Sequence, residues 1–293
     1  MKNAYGKITN RTFGMEIEVE TITKLRAAQI VAQTVGGTIR ESRTSSWRVI
    51  DNQGRIWKVV NDGSLDGVDS GEIVTPILTL EDLPTLQELI RNLRRARATV
   101  SSRTGAHIHI GAGDLTPTQI ANLVKIFYKQ EMLIYKACGV YASRLNHYTK
   151  PTDRDFIERI TTRKIKTNRD LNIAWFGFYE PNPTHYEEHR YRALNLNNLW
   201  NEKKTVEFRL FNGTLHAGEV KANILLALTL VNMAKEAKSA SSKQREVDTS
   251  TSKYDLRCFL LRLGMIGDEF KTARLHLAKR LGGSTAWKGE RRD

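Results

Sequence analysis

The chain has 293 residues, 40% of them hydrophobic and 27% charged, which describes a soluble globular protein of one large domain or two small ones. No run of 18 apolar residues occurs, so no transmembrane helix is expected, and the opening MKNAYGKITNRTFG lacks the apolar core of a secretion signal. The net charge of +14 favours an anionic partner and says nothing about fold, while the two cysteines, Cys138 and Cys258, lack metal-ligand spacing, read as buried small residues and fit a cytoplasmic protein without disulfides.

The first element is FGMEIEVE, in a strand expected over 12–20. Its strict alternation predicts one apolar face, with Met15, Ile17 and Val19, and one face carrying Glu16, Glu18 and Glu20. Neighbouring carboxylates on a strand face stand roughly 7 Å apart. They repel by about 2.4 kcal/mol at an effective dielectric near 20, and by about 0.6 kcal/mol in open water. Alone, the strand fits a solvated face and a cation site equally well. A helix over 23–33, stopped by Gly36 and Gly37, comes next. SWRVIDNQGRIWKVV reads as a hairpin around DNQG. The loop NDGSLDGVDSG then delivers Glu72 into the short strand EIVTP, closed by Pro76.

A helix is expected over 80–99, and 91–103 carries five arginines and no acid. AHIHIG is a strand that places His107 and His109 on one face. From Thr116 to about Cys138, Pro117 in the first turn and a stripe of Ile120, Leu123, Val124 and Phe127 predict a helix. Residues 139–189 hold many aromatics and a basic run without acid over 161–169, and read as a lid or insertion of loops and short helices. YRALNLNNL and TVEFRLFNG are two further strand signals. An apolar helix over about 219–237 is expected to be buried. A polar linker over 239–252 leads into a basic helical hairpin over 253–293, with Leu256, Phe259, Leu260 and Leu263 on its first helix.

Four strands thus repeat one design, with polar side chains of catalytic type alternating with apolar ones: Glu16 and Glu18; Glu72; His107 and His109; Glu207 and Arg209. Gathered on one antiparallel face, they make an oxygen-rich site with imidazole that suits Mg²⁺ or Mn²⁺. The arginine beside them suits a transferring phosphoryl group. Without a cysteine cluster or HExxH, structural zinc and a zincin are disfavoured.

The order and wording of FGMEIEVE, DGSL with GEIVTP, GAHIHIG, YRALNL and VEFRLFNGTL resemble the amidoligases of the glutamine synthetase and glutamate–cysteine ligase superfamily, the carboxylate–amine ligases, over roughly residues 10 to 235. The resemblance implies an α+β fold: a curved antiparallel β-sheet of glutamine synthetase catalytic-domain type with flanking helices, forming a catalytic domain over 1–238. That sheet would cradle ATP and two or three Mg²⁺ or Mn²⁺ ions. Implied metal ligands are Glu16, Glu18, Glu72, His107 and Glu207. Arg209 is implied to contact phosphate, and His109 to lie near nucleotide or substrate. Arg192 and Asn195 are implied phosphate or substrate contacts, and Asp62 and Ser64 lie where they would touch the bound molecules; Glu20 receives no role. Glutamine synthetase carries further glutamates before its HxH strand. Only Glu72 is clear here, which leaves a third metal position and an ammonia site without residues.

The implied reaction is ATP-dependent amide formation, in which a carboxylate, glutamate-like by family analogy, is phosphorylated and then attacked by an amine. The charge suggests a large anionic acceptor, nucleic acid or acidic peptide; no membrane partner is expected. Two other classes use the same features. A two-metal phosphodiesterase or nuclease would use the same carboxylates and histidines. A non-catalytic nucleic-acid-binding protein would rely on the basic tail.

Overall fold

Polar–apolar alternation builds one antiparallel sheet in the computed structural model, which describes residues 2–41, 46–65, 69–184 and 187–288. Among the described residues its strands are β1 (Phe13–Glu20), β2 (Thr38–Glu41), β3 (Trp47–Ile50), β4 (Ile56–Val60), β5 (Ser70–Val74), β6 (Gly105–Gly111), β7 (Leu194–Asn195) and β8 (Thr205–Asn212). Their order across the sheet is β2-β3-β4-β5-β1-β6-β8-β7. The four strands of shared design, β5, β1, β6 and β8, are therefore contiguous.

One face of the sheet is covered by helices. These are α2 (Lys24–Val35), α3 (Leu83–Arg95), α4 (Pro117–Cys138) and α8 (Ala217–Glu236), after a short α1 (Tyr5–Ile8). Met15, Ile17, Val19, Ile108, Ile110, Phe208 and Leu210 point into this layer and are buried. By length and mean hydropathy α8 is apolar enough to cross a membrane, but here it is buried in the core between the sheet and the C-terminal helices.

Several expected elements change shape. The helix expected over 80–99 is a 3-10 turn, Leu80–Asp82, followed by α3, which stops at Arg95. Arg97 is left-handed at φ 65°, and Thr99 pairs with Glu20 beyond it. YRALNLNNL contributes only the two residues of β7. The Asn195 side chain accepts from the Asn197 backbone N–H at 2.9 Å, a local bond that turns the chain away from the ladder. The stretch 139–189 does contain short helices, α5 (Ala142–His147), α6 (Arg154–Thr162) and α7 (Asn168–Phe176).

The 239–252 segment lacks helix or strand until α9 starts, but it is tied down. The Arg245 backbone N–H donates to Lys129 O at 3.0 Å, and its guanidinium to Asp255 at 2.7 Å. The hairpin α9 (Ser252–Arg262) and α10 (Lys271–Ala278) places Leu256, Phe259, Leu260 and Leu263 in the same core. Cys138 is buried as expected, while Cys258 is half-exposed. Residues 66–68 of the Gly-rich loop and the last five of the hairpin, 289–293, lie outside the described residues.

Candidate active site

Cross-strand register assembles the site from segments far apart in sequence. Glu18 stands opposite Glu72 of β5, and Glu16 opposite His107 of β6. His109 faces Glu207 of β8, which in turn faces Asn195 of β7. Period two puts them all on the face away from the helices. The register between β6 and β8 slips by one between Ala106–Phe211 and Ile108–Phe208, so Arg209 and Leu210 share the place opposite His107. The result is a cleft of about 580 Å³, lined also by Asp62, Ser64, Arg144, Tyr148, Asn197 and Lys203.

The distances within it are short. Glu16 Oε2 is 3.0 Å from His107 Nδ1, and Glu16 Oε1 is 3.0 Å from His109 Nε2. His107 Nε2 lies 3.5 Å from Glu18 Oε1, while Glu18 Oε2 accepts from the Gly105 N–H at 2.7 Å. Arg209 Nη1 donates to Glu207 Oε1 at 2.5 Å, and Asn195 Nδ2 to Glu207 Oε2 at 2.7 Å. Despite its nearness to Glu16, the buried His109 Nε2 has no hydrogen-bond partner.

Charge is unevenly shared. Burial opposes ionisation of Glu16, but the charge of His109 and the hydrogen bond from His107 hold its carboxyl well below the usual range. Burial also opposes ionisation of Glu207, yet Arg209 and His109 bring it to about 2. His109 loses stability as a cation through burial, and the Glu207 and Glu16 charges more than reverse that, raising its pKa. Glu72 has no such help. Burial, then the charges of Glu16, Asp62 and Glu18, push it up to about 9.

The donor set fits a hard divalent cation. Glu16, His109 and Glu207 each offer one ligand atom, and the three atoms lie within 4.8 Å of one another. Oxygen donors with one imidazole, one nitrogen of which lacks a hydrogen bond, match Mg²⁺ or Mn²⁺ chemistry. A cation there would also oppose the burial and the acidic neighbours that push Glu72 up.

Of the residues singled out in the sequence, Glu16, Glu18, Glu72, His107, His109, Asn195, Glu207, Arg209, Asp62 and Ser64 all line this cleft. Both histidines lie against Glu16 and within 4.0 Å of Glu207 Oε1. His107 lies between Glu16 and Glu18, and His109 joins the three-ligand group. Arg192 is not brought in: its guanidinium donates to Pro151 O at 2.9 Å and Asp153 Oδ2 at 3.1 Å. Glu20 is also outside, accepting from the Ser101 hydroxyl at 3.1 Å. Arg144, Tyr148, Asn197 and Lys203 were not anticipated as cleft residues. Arg144, Tyr148 and Lys203 come from segments without strand periodicity, and Asn197 from the end of the YRALNLNNL signal, beyond the two residues that form β7.

Fold and cleft together define a mixed α/β protein with an open antiparallel sheet and a candidate cation site on its exposed face. A family model described as "Putative amidoligase enzyme" matches residues 9–231, and the chain belongs to that family. No curated protein matches it. Among solved structures, the complex between the prokaryotic ubiquitin-like protein Pup and its ligase PafA matches at 11% identity and a TM-score of 0.30. That match covers 78% of this chain and 47% of the other, so this chain spans about half the length of its match.

Proposed function

We propose that this chain is an ATP-dependent carboxylate–amine ligase using Mg²⁺ or Mn²⁺, built on a sheet of glutamine synthetase catalytic-domain type. It forms an amide or isopeptide bond through an acyl phosphate. The observation that carries this reading is the convergence of Glu16, His109 and Glu207 ligand atoms beside Arg209, in a member of the amidoligase family.

Glu16, Glu207 and His109 would hold the cation, with Glu18, Glu72 and His107 beside them to complete or share a second position. A bound divalent cation neutralises phosphate charge as it moves between oxygens. Arg209 stays ionised beside Glu207 and orients the phosphoryl group toward the substrate carboxylate. Asn195 fixes the second oxygen of Glu207, and the Gly105 N–H fixes Glu18, so the carboxylates are held rather than mobile. Asp62 and Ser64 meet nucleotide or substrate in the cleft. The carboxylate is glutamate-like, and the charge of +14 favours a large anionic acceptor such as an acidic peptide or nucleic acid.

The test is turnover of Mg–ATP with a pool of amino-acid carboxylates and amines, hydroxylamine being added to trap the acyl phosphate as a hydroxamate. ADP, phosphate and hydroxamate are the expected products. No ADP with any pool, together with cleavage of nucleic acid, would replace the ligase by a two-metal phosphodiesterase. Nucleic-acid binding that survives Glu16→Ala and Glu207→Ala, again without turnover, would leave a non-catalytic binding protein.

A further inference from the structure

Arg144 is a buried cation without a carboxylate of its own. It sits on α5, is 2% exposed, and lines the same cleft as Glu18, His107 and Arg209. Its Nη2 donates to Arg209 O at 3.0 Å and its Nη1 to Arg103 O at 3.4 Å. Nε has no hydrogen-bond partner, and among the described residues the side chain forms no ion pair. A guanidinium offers five N–H donors in a planar fork, so most of its capacity is unspent.

The position is prepared by the strand beside it. A Cβ at Gly105 would lie 2.7 Å from both Nη atoms, so glycine is what lets the guanidinium press against the start of β6. Burial works against this charge, the nearby Glu18 carboxylate favours it without pairing with it, and a guanidinium hydrogen-bonded only to two carbonyl oxygens gains when an anion meets it. The second arginine expected for the phosphoryl group, Arg192, is occupied by Asp153 and Pro151.

We propose that Arg144 is an oxyanion-binding residue of the cleft, acting with Arg209 on an anionic group of the substrate. This rests on the ligase reading above. The oxyanion has two sources, the terminal phosphoryl group of the nucleotide or the substrate carboxylate, and both present oxygens to a planar fork.

The experiment measures affinity for Mg–AMPPNP, Mg–ADP and L-glutamate by calorimetry, in the wild type, Arg144→Gln and Arg144→Lys, with a thermal melt of each. Gln retains amide donors for the carbonyls but carries no charge; Lys keeps the charge. Charged hydrogen bonds of this kind predict that Arg144→Gln weakens Mg–AMPPNP about tenfold while Mg–ADP is nearly unchanged, with part of the loss restored by Lys. A loss confined to L-glutamate supports the proposal with the carboxylate as the anion. If the wild type prefers Mg–AMPPNP and both variants bind every probe as it does, with only the melt lowered, Arg144 is a structural clip and the proposal falls while the ligase reading stands. If the wild type binds neither nucleotide nor glutamate, both fall together.

Discussion

Glu72 and Glu219 are both half-buried glutamates, yet their carboxyl groups are driven in opposite directions. Glu219, on α8, is opposed by burial but receives Lys279, Arg280 at 3.0 Å and the Thr214 hydroxyl at 2.7 Å, and is held at about 2. Glu72, on β5, meets burial and then the charges of Glu16, Asp62 and Glu18, and rises to about 9. At the junction of α8 with the C-terminal hairpin, negative charge is settled within the chain. Around Glu72, at the centre of the sheet, three neighbouring acids leave it unsettled. Stability alone would have placed a lysine or a neutral residue there. Unsettled charge in a cleft marks where a positive group from outside is required.

The largest expected effect follows from the residue that joins the acids of the sheet to the arginine. Glu207→Gln should lower ADP formation by at least about 100-fold, since it removes a ligand oxygen and the partner of Arg209. Glu219→Gln should change turnover by less than about twofold, because its partners lie in the helical region. Comparable losses in the two variants would show that the carboxylates of the sheet hold no special role.

Metal addition sharpens the same contrast. Mn²⁺ at 100 times its Kd should stabilise the protein by about 2.7 kcal/mol in urea melts, reversibly with EDTA. Glu16→Gln should abolish this and Glu219→Gln should leave it intact. Glu72 must lose its proton to serve as a ligand, so affinity should rise between pH 6 and about 9. Calorimetry in buffers of different ionisation enthalpy should show protons released on binding near neutral pH, from Glu72 and from the raised His109, and fewer in Glu72→Gln. Release undiminished in that variant would assign the Glu72 share elsewhere.

Most of the candidate site was legible because period-two patterning is local. Glu16 with Glu18, His107 with His109, and Glu207 with Arg209 each declare a face within their own strand. Which faces meet, and at what offset, is not local. The slip opposite His107 depends on the pairing of two strands a hundred residues apart. Arg192 was expected as a phosphate or substrate contact, but Asn195 bends β7 and Asp153 captures the guanidinium. Arg144 lay in a segment with no periodicity to read. The settlement of Glu219 by Lys279 and Arg280 spans 60 residues and left no pattern at all.

Without metal, the two glutamates should also govern opposite limbs of the stability–pH curve. The folded pKa of Glu72 is raised from 4.5 to about 9, so its neutral form favours folding below 4.5 and that advantage is lost as pH climbs toward 9. Glu219 is depressed from 4.5 to about 2, so its contribution is present above 4.5 and is lost as pH falls toward 2. Urea melts across pH should show Glu72→Gln flattening only the alkaline limb. Glu219→Gln should flatten only the acid limb, by roughly 1–2 kcal/mol once the exposure of Lys279 and Arg280 is discounted.

The smallest effect is expected at Arg192, which belongs with Glu219 as a settled charge. Its pair with Asp153 is 3.1 Å long, and both side chains are partly exposed, at 26% and 29%. Arg192→Ala should therefore cost at most about 1 kcal/mol of stability and change turnover by less than about threefold. Arg209→Ala, beside Glu207 in the cleft, should lose about 100-fold. A fall beyond about tenfold in Arg192→Ala, with an unchanged melt, would mean that substrate draws Arg192 away from Asp153 and into the cleft. In that event its ion pair is a resting position, and the division between settled and unsettled charge would have to be redrawn around bound substrate.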